Sequence, residues 1–381
     1  MFQEIQPVLQ KKTDEIVFIE LKEGGELKVG NTLLPAGIPL PIPTTDMVNK
    51  VQKSEDASIR VDHILESMVV VLGIDDSFPH AMAYNNILKD SDPKMEMRIM
   101  ANGIQLAEEE KHIDALIRFK ALMAMNPDSV DAQYNAARIC EDVAAKHEDN
   151  ADIYKRFNQT AYELFMDLLE RGELLVLTKY HLGFHFANDQ RFLQAEQVWK
   201  DALASGDLSD DQKTELVDRL RDLDAKIRYE RGYKLVIDGQ ADQGLEYLLP
   251  LEPDYPEWWN LHFFIGLAFR QKEQFDEAIT YFKRVLSLNT GHVETMNELG
   301  ICLMTMGDYN GAEAYFKEAL RAHPQNHEIL CNLGIVHIQR GEYQDAMDKL
   351  NASLAQKPDD DVTLAWVRQL RSLLDQEKQY H

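Results

Sequence analysis

Three glycines spaced 34 residues apart, Gly266, Gly300 and Gly334, constrain this 381-residue chain more than any other feature. A fixed period of that length marks a repeat array, in which each unit buries its apolar face only against its neighbours. Ala278, Ala312 and Ala346 keep the same step, and Phe282, Phe316 and Leu350 follow each alanine by one helical turn. Pro324 and Pro358 close two of the units, with Thr290 in the corresponding place of the other. Gly307 and Gly341 stand between the halves. The pattern predicts pairs of antiparallel helices. The glycine and the alanine face each other where the two axes come closest, and Phe316, on the same face as Ala312, fills the space between units. Gly307 supplies the left-handed residue that ends the first helix. Pro324 lacks an N–H and stops the second.

The net charge of −25 bears on partners. Affinity for nucleic acid comes mostly from Lys and Arg neutralising phosphates, and the chain has no basic patch with interleaved aromatics. The expected partner is therefore a protein or peptide client with an apolar or basic surface, neither nucleic acid nor membrane. The acidity reads equally well as a device for solubility. Cys140, Cys302 and Cys331 form no CxxC and no metal-ligand spacing, which fits a reducing, cytoplasmic setting. The N-terminal stretch MFQEIQPVLQKKTDEI does not read as a signal peptide.

The residues of the period, taken together, resemble the tetratricopeptide-repeat (TPR) family. That resemblance implies a mainly α fold: a right-handed α-solenoid of TPR helix pairs, here with a small N-terminal region containing a β-hairpin. It covers about three quarters of the chain, and most specifically residues 259–360. Four in-phase units span 225–360, the first carrying Tyr229, Gly232, Gly239 and Pro253, with Gly244 in place of its alanine. Degenerate units occupy 96–224: Gly103, Ala115, Phe119 and Pro127 fit one, and Gly183, Ala195, Trp199 and Ala202 another. Between them, residues 130–175 read as a unit whose inter-helix turn is lengthened by Lys146–Asn150, and 210–224 as extra helix. Residues 361–381 form a capping helix with Val362, Trp366, Leu370 and Leu373 on one face. The family's usual tryptophan is replaced by His262, Met296 and Leu330.

Residues 1–55 read differently. Glu15–Leu21 is rich in β-branched residues, a Glu-Gly-Gly-Glu turn follows, and Leu27–Leu34 returns, which together predict a hairpin. The next segment, PAGIPLPIP, holds four prolines and must be extended, as a stiff spacer or as a ligand for a partner domain. Residues 56–95 read as a helical pair, Ser58–Leu72 and Phe78–Leu88, and as a decayed repeat. A lone hairpin is marginal in water, so it is expected to pack on the array or on another chain.

On the first helices of the repeats a second apolar stripe lies about 100° round from the core face. It comprises Tyr229, Tyr233 and Val236, then Phe263, Leu267 and Arg270, then Asn297, Ile301 and Met304, then Cys331, Ile335 and Ile338. In the family this face lines a concave groove for peptides, so the resemblance implies a peptide-binding groove there. Apolar stripes at helical spacing also serve as core, and the N-terminal segment is a third occupant to consider. Some family members clamp a carboxylate with lysines and asparagines. The matching positions are Phe263, Leu267, Glu298 and Glu328, without a lysine, so that function is not implied. The two glutamates favour a basic residue on the ligand.

No motif of catalysis or of cofactor binding occurs. His181 and His185 share a helix face, with Glu163 and Glu196 as distant third partners, and read as a half-buried pair and no metal site. Trp258, Trp259, Phe263 and Phe264 read as inter-repeat packing or as a partner hot spot. The expected function is a non-catalytic scaffold, adaptor or assembly chaperone, with no cofactor. The alternative is a signalling regulator whose array senses a small peptide. An enzyme with its site in the N-terminal region is the third reading.

Overall fold

A computed structural model describes residues 1–21, 27–29, 32–34, 37–46, 60–75 and 77–380. The chain divides into two compact units, Met1–Leu216 and Val217–His381. The division falls inside one helix, Asp210–Ile237, so the extra helix expected at 210–224 is continuous with the first helix of the next repeat.

In the second unit the repeat reads directly off the elements. Helix Trp259–Gln271 pairs with Phe275–Leu288, Val293–Thr305 with Tyr309–Ala322, and His327–Gln339 with Tyr343–Gln356. The first helix of each pair is called helix A and the second helix B. The close approach differs in one detail from the sequence expectation. A Cβ built on Gly266 would meet the Phe282 ring at 2.8 Å, on Gly300 the Phe316 ring at 2.5 Å, and on Gly334 the Leu350 side chain at 2.9 Å. The glycine therefore seats the large side chain itself as well as the backbone of the alanine one turn earlier, whose carbonyl oxygen would lie 3.4 Å from a Cβ at Gly334. Phe282, Phe316 and Leu350 are fully buried as a result. The same joint recurs in three of the decayed repeats: Gly103 under Phe119, Gly183 under Trp199, Gly232 under Leu248.

The turn after helix A needs one left-handed residue. Gly307 and Gly341 supply it at φ +85° and +74°. Glu110, Gln190 and Glu273 adopt the same conformation without the freedom of glycine, at φ 61°, 60° and 59°. The terminal helix, Asp361–Tyr380, packs Val367 and Leu370 against Cys331, Ile335, Ile338, Ala346 and Leu350. It covers the apolar face that the last pair would otherwise expose.

The first unit contains pairs Met95–Glu108 with His112–Met125, Val130–Lys146 with Ala151–Glu170, and Leu175–Asn188 with Phe192–Ser205. The polar run after Lys146 is a short turn, and both helices around it are long. Helices Val61–Ile74 and Ala81–Ser91 precede them. Gly73 lets the first of these lie directly on the second repeat helix, since a Cβ there would meet the Ile117 carbonyl oxygen.

The strands correct the expected pairing. Strand β1 (Ile16–Ile19) pairs antiparallel with β4 (Leu40–Pro43), in the register Val17↔Ile42 and Ile19↔Leu40. Strands β2 (Leu27–Val29) and β3 (Thr32–Leu34) pair with each other. The Glu-Gly-Gly-Glu turn lies outside the described residues, as does the start of the helix expected from Ser58. The second half of the proline-rich segment, Leu40–Pro43, is thus a strand, neither a spacer nor a free ligand. Prolines at every second position surrender donors along one edge only, which leaves Leu40 and Ile42 to bond across to β1. Those same two residues are fully buried. The region packs on the first unit, as expected of a marginal sheet. The Tyr84 hydroxyl donates to the Pro39 carbonyl oxygen at 2.5 Å, Gln6 Nε2 donates to the Ile74 carbonyl oxygen, and Lys12 pairs with Asp114 at 2.9 Å.

Candidate functional site: the A-helix face of the second unit

Packing sorts the residues of the expected groove into two sets. Val236, Ile335 and Ile338 are core, and their assignment to a ligand surface is corrected. Val236 is fully buried beside Leu245, Leu248 and Ile265. Ile335 and Ile338 are 8% and 7% exposed, sealed with Cys331 beneath Val367 and Trp366 of the terminal helix. A capping helix in that seat removes the last repeat's stripe from solvent.

Phe263, Leu267, Ile301 and Met304 are half-buried and flank the clusters around Phe282, Ile265, Phe316 and Ile335. Tyr229 and Tyr233 are half-buried as well. Tyr229 lies 4.4 Å from the Trp258 ring, and Tyr233 lies 5.1 Å from Phe264. The aromatics expected as a cluster form a chain: Phe264 meets Phe263 at 5.3 Å, and Trp259 joins through the His292 ring at 4.7 Å.

Two polar ties cross between consecutive A helices. Arg270 Nε lies 2.5 Å from Glu298 Oε2, although no well-aligned hydrogen bond forms there. Asn332 Nδ2 donates to Asn297 Oδ1 at 2.9 Å. Burial pushes the Glu298 carboxyl above its usual range, Arg270 opposes the shift, and the Glu328 charge adds to it. Glu328 itself is exposed. The surface thus offers apolar and aromatic contacts flanked by carboxylates, with one guanidinium already engaged.

The first unit holds the chemistry that sequence reasoning located only in part. His181 and His185 both meet Glu141, at 2.8 Å from Nδ1 and 3.1 Å from Nε2 respectively. Glu163 and Glu196 are engaged instead by Gln159 and Lys200. The Tyr134 hydroxyl closes the network on His181 Nε2 at 3.2 Å, and the Phe165 ring stacks on His181 at 4.8 Å. Burial alone would raise the Glu141 carboxyl, but the two histidines outweigh it and bring it down to about 2. No local signal announces Glu141, which sits 40 residues before His181; only the stacking of A helices brings them together. In the second unit His337, Glu342 and Asp345 place donor atoms within 4.8 Å of one another. His337 Nδ1 already bonds Glu342 Oε2 at 2.6 Å, and Arg340 lies 3.8 Å from the same oxygen, so the local charge is already met by protein groups.

Models of the tetratricopeptide repeat match residues 258–325 and 303–366. Residues 258–366 thus carry tetratricopeptide repeats, the motif of protein-interaction scaffolds. Among solved structures it is similar to MamA 41-end from Desulfovibrio magneticus RS-1, at 17% identity and a TM-score of 0.38, over 41% of this chain and 88% of that one. It is similar also to MamA AMB-1, at 19% identity and a TM-score of 0.36, over 49% of this chain and 100% of that one. Both likenesses are too loose to bear on function. No curated protein matches the chain. No helix among the described residues is long and apolar enough to cross a membrane.

Proposed function

We propose that the chain is a non-catalytic adaptor or assembly chaperone that holds a peptide or helix of a client protein on the A-helix face of its second unit. The observation that carries this reading is the row of half-buried apolar side chains, Phe263, Leu267, Ile301 and Met304, on two successive A helices. A face built only for core would be sealed, as the terminal helix seals Ile335 and Ile338. Unbranched Met304 adapts its shape to a ligand at low cost. A bound segment would supply apolar anchors at i, i+3 or i+4 if helical, and alternate ones if extended. Binding is the whole of the mechanism, with no turnover and no cofactor. The signalling-regulator reading differs in taking a small free peptide that shifts the array between shapes.

The test is Ile301→Asp. Because Ile301 is only half-buried, its carboxylate can reach water, so the helical circular dichroism and the melting temperature should stay near those of wild type. Affinity capture from a lysate should then lose one client retained by the wild-type chain. A protein that unfolds on this substitution would assign Ile301 to the core, at a cost of several kcal/mol, on the order of a buried unpaired charge. Identical capture by both proteins would move binding to another surface.

A further inference from the structure

The groove reading leaves the ligand's charge open, and the residues around it settle on one sign. Glu294 and Glu328 stand at the same place in successive repeats, in the first turn of helices Val293–Thr305 and His327–Gln339. Both are exposed, with Glu294 at 72% of its side chain. The nearest cationic candidate beside Glu294 is His292, with Nε2 at 3.5 Å. Burial depresses the basicity of that imidazole more than the Glu294 charge restores it, which makes it a weak counter-charge for Glu294. The His292 ring is also the meeting point of two aromatics, Trp259 at 4.7 Å and Phe263 at 5.3 Å. Among the groove residues Arg270 is the one cation, and it is held by Glu298. A carboxylate beside half-exposed rings, as at Glu294, is complementary to a cationic side chain, which gains from both the charge and the ring quadrupoles. A ligand carboxylate in the same place would meet like charge.

We infer that the bound segment presents a lysine or arginine to Glu294 beside the Trp259–Phe263 rings and a second basic residue to Glu328 one repeat on, while its apolar side chains rest on Leu267, Ile301 and Met304. The partner is therefore a basic amphipathic segment of another protein. This rests on the groove reading, and the experiment separates the two. A phage-displayed library of random 12-residue peptides is panned on the full chain. Enriched peptides are then made synthetically and titrated by fluorescence anisotropy against wild type, Ile301→Asp, and the double variant Glu294→Lys, Glu328→Lys. Both glutamates are exposed, so the double variant should keep its fold, which circular dichroism checks. The expected result is peptides enriched in Lys or Arg that bind wild type and lose about tenfold or more in affinity to the double variant. Binding should also weaken at high salt. Peptides that lack basic residues but still fail on Ile301→Asp would overturn the charge inference and leave the groove standing. Basic peptides indifferent to the double variant would overturn it too, because attraction to the chain's overall acidity would then explain them. Peptides indifferent to Ile301→Asp, or no enrichment at all, would remove both readings.

Discussion

The tie between A helices in the first unit and the tie in the second occupy the same positions with opposite polarity. His181 and Glu298 each stand two residues before their repeat's glycine, Gly183 and Gly300. Their partners, Glu141 and Arg270, each stand four residues after a buried small residue, Ala137 and Gly266. In the first unit the carboxylate is central and grips two imidazoles, with Tyr134 and Phe165 packed around them. In the second a single guanidinium meets a single carboxylate, and half-buried apolar residues lie to either side. One repeat frame thus carries two uses of the same face. A multiply bonded polar network fixes two A helices to each other, whereas a sparse tie leaves apolar surface for something else.

The largest effect should come from the frame itself. Trp199→Ala and Phe316→Ala each remove a ring seated on a glycine, and each should cost about 3–5 kcal/mol in its own unit by thermal or denaturant unfolding. A much cheaper Trp199→Ala would mean that the decayed repeats are not built on the same joint, and the comparison would fail. The ties should come next. Glu141→Gln breaks a half-buried charge network and should cost roughly 2 kcal/mol, read as faster hydrogen exchange in helices Val130–Lys146 and Leu175–Asn188. Arg270→Gln should cost about 1 kcal/mol or less, because Glu298, already pushed towards its protonated form by burial, can take up a proton. Equal costs would erase the distinction between the two faces.

Acid sharpens the same contrast. The folded Glu141 carboxyl lies well below its ordinary value of 4.5, at about 2. Its contribution to stability is therefore fully present above pH about 4.5 and is lost as pH falls towards 2. The stability gap between wild type and Glu141→Gln should narrow across that window, as measured by urea unfolding at a series of pH values. Glu298, shifted upward, should show no such narrowing against Glu298→Gln. The smallest effect concerns the turns. Glu273→Gly relieves a left-handed backbone and should stabilise the second unit by about 0.5 kcal/mol, because glycine's larger unfolded entropy offsets part of the relief. Gly307→Ala should do the reverse.

How far the sequence speaks depends on whether a contact lies within one repeat or across several. The spacing of Gly300, Ala312 and Phe316 foretold a helix pair because all three serve one hairpin. The capping role of Trp366, Leu370 and Leu373 followed from an apolar face at the end of an array, whereas Val362, expected on that face, is exposed and Val367 is buried in its stead. The pairing of β1 was not legible: Leu27–Leu34 looked like the natural partner, and the alternation of Leu40 and Ile42 with prolines hid a strand inside an apparent spacer. The division of the groove was hidden for a related reason. Ile301 and Ile335 occupy equivalent positions and look alike in sequence. Only the helix packed above the second separates core from candidate surface. Glu141 was invisible as a partner for the histidines because helix stacking, and no local pattern, sets their distance.

The glycine joint has a consequence for the order in which the chain acquires structure. Each large side chain meets its glycine within one helical hairpin, so most of a repeat's core closes over a short loop, for which the entropy lost is small. A hairpin such as Trp259–Leu288 therefore needs only its immediate neighbours, and not the rest of the protein, to complete its core. The N-terminal segment has the opposite fate. Gln6 needs Ile74, 68 residues on, and Lys12 needs Asp114, 102 residues on, so its contacts with the helices wait for that much more of the chain.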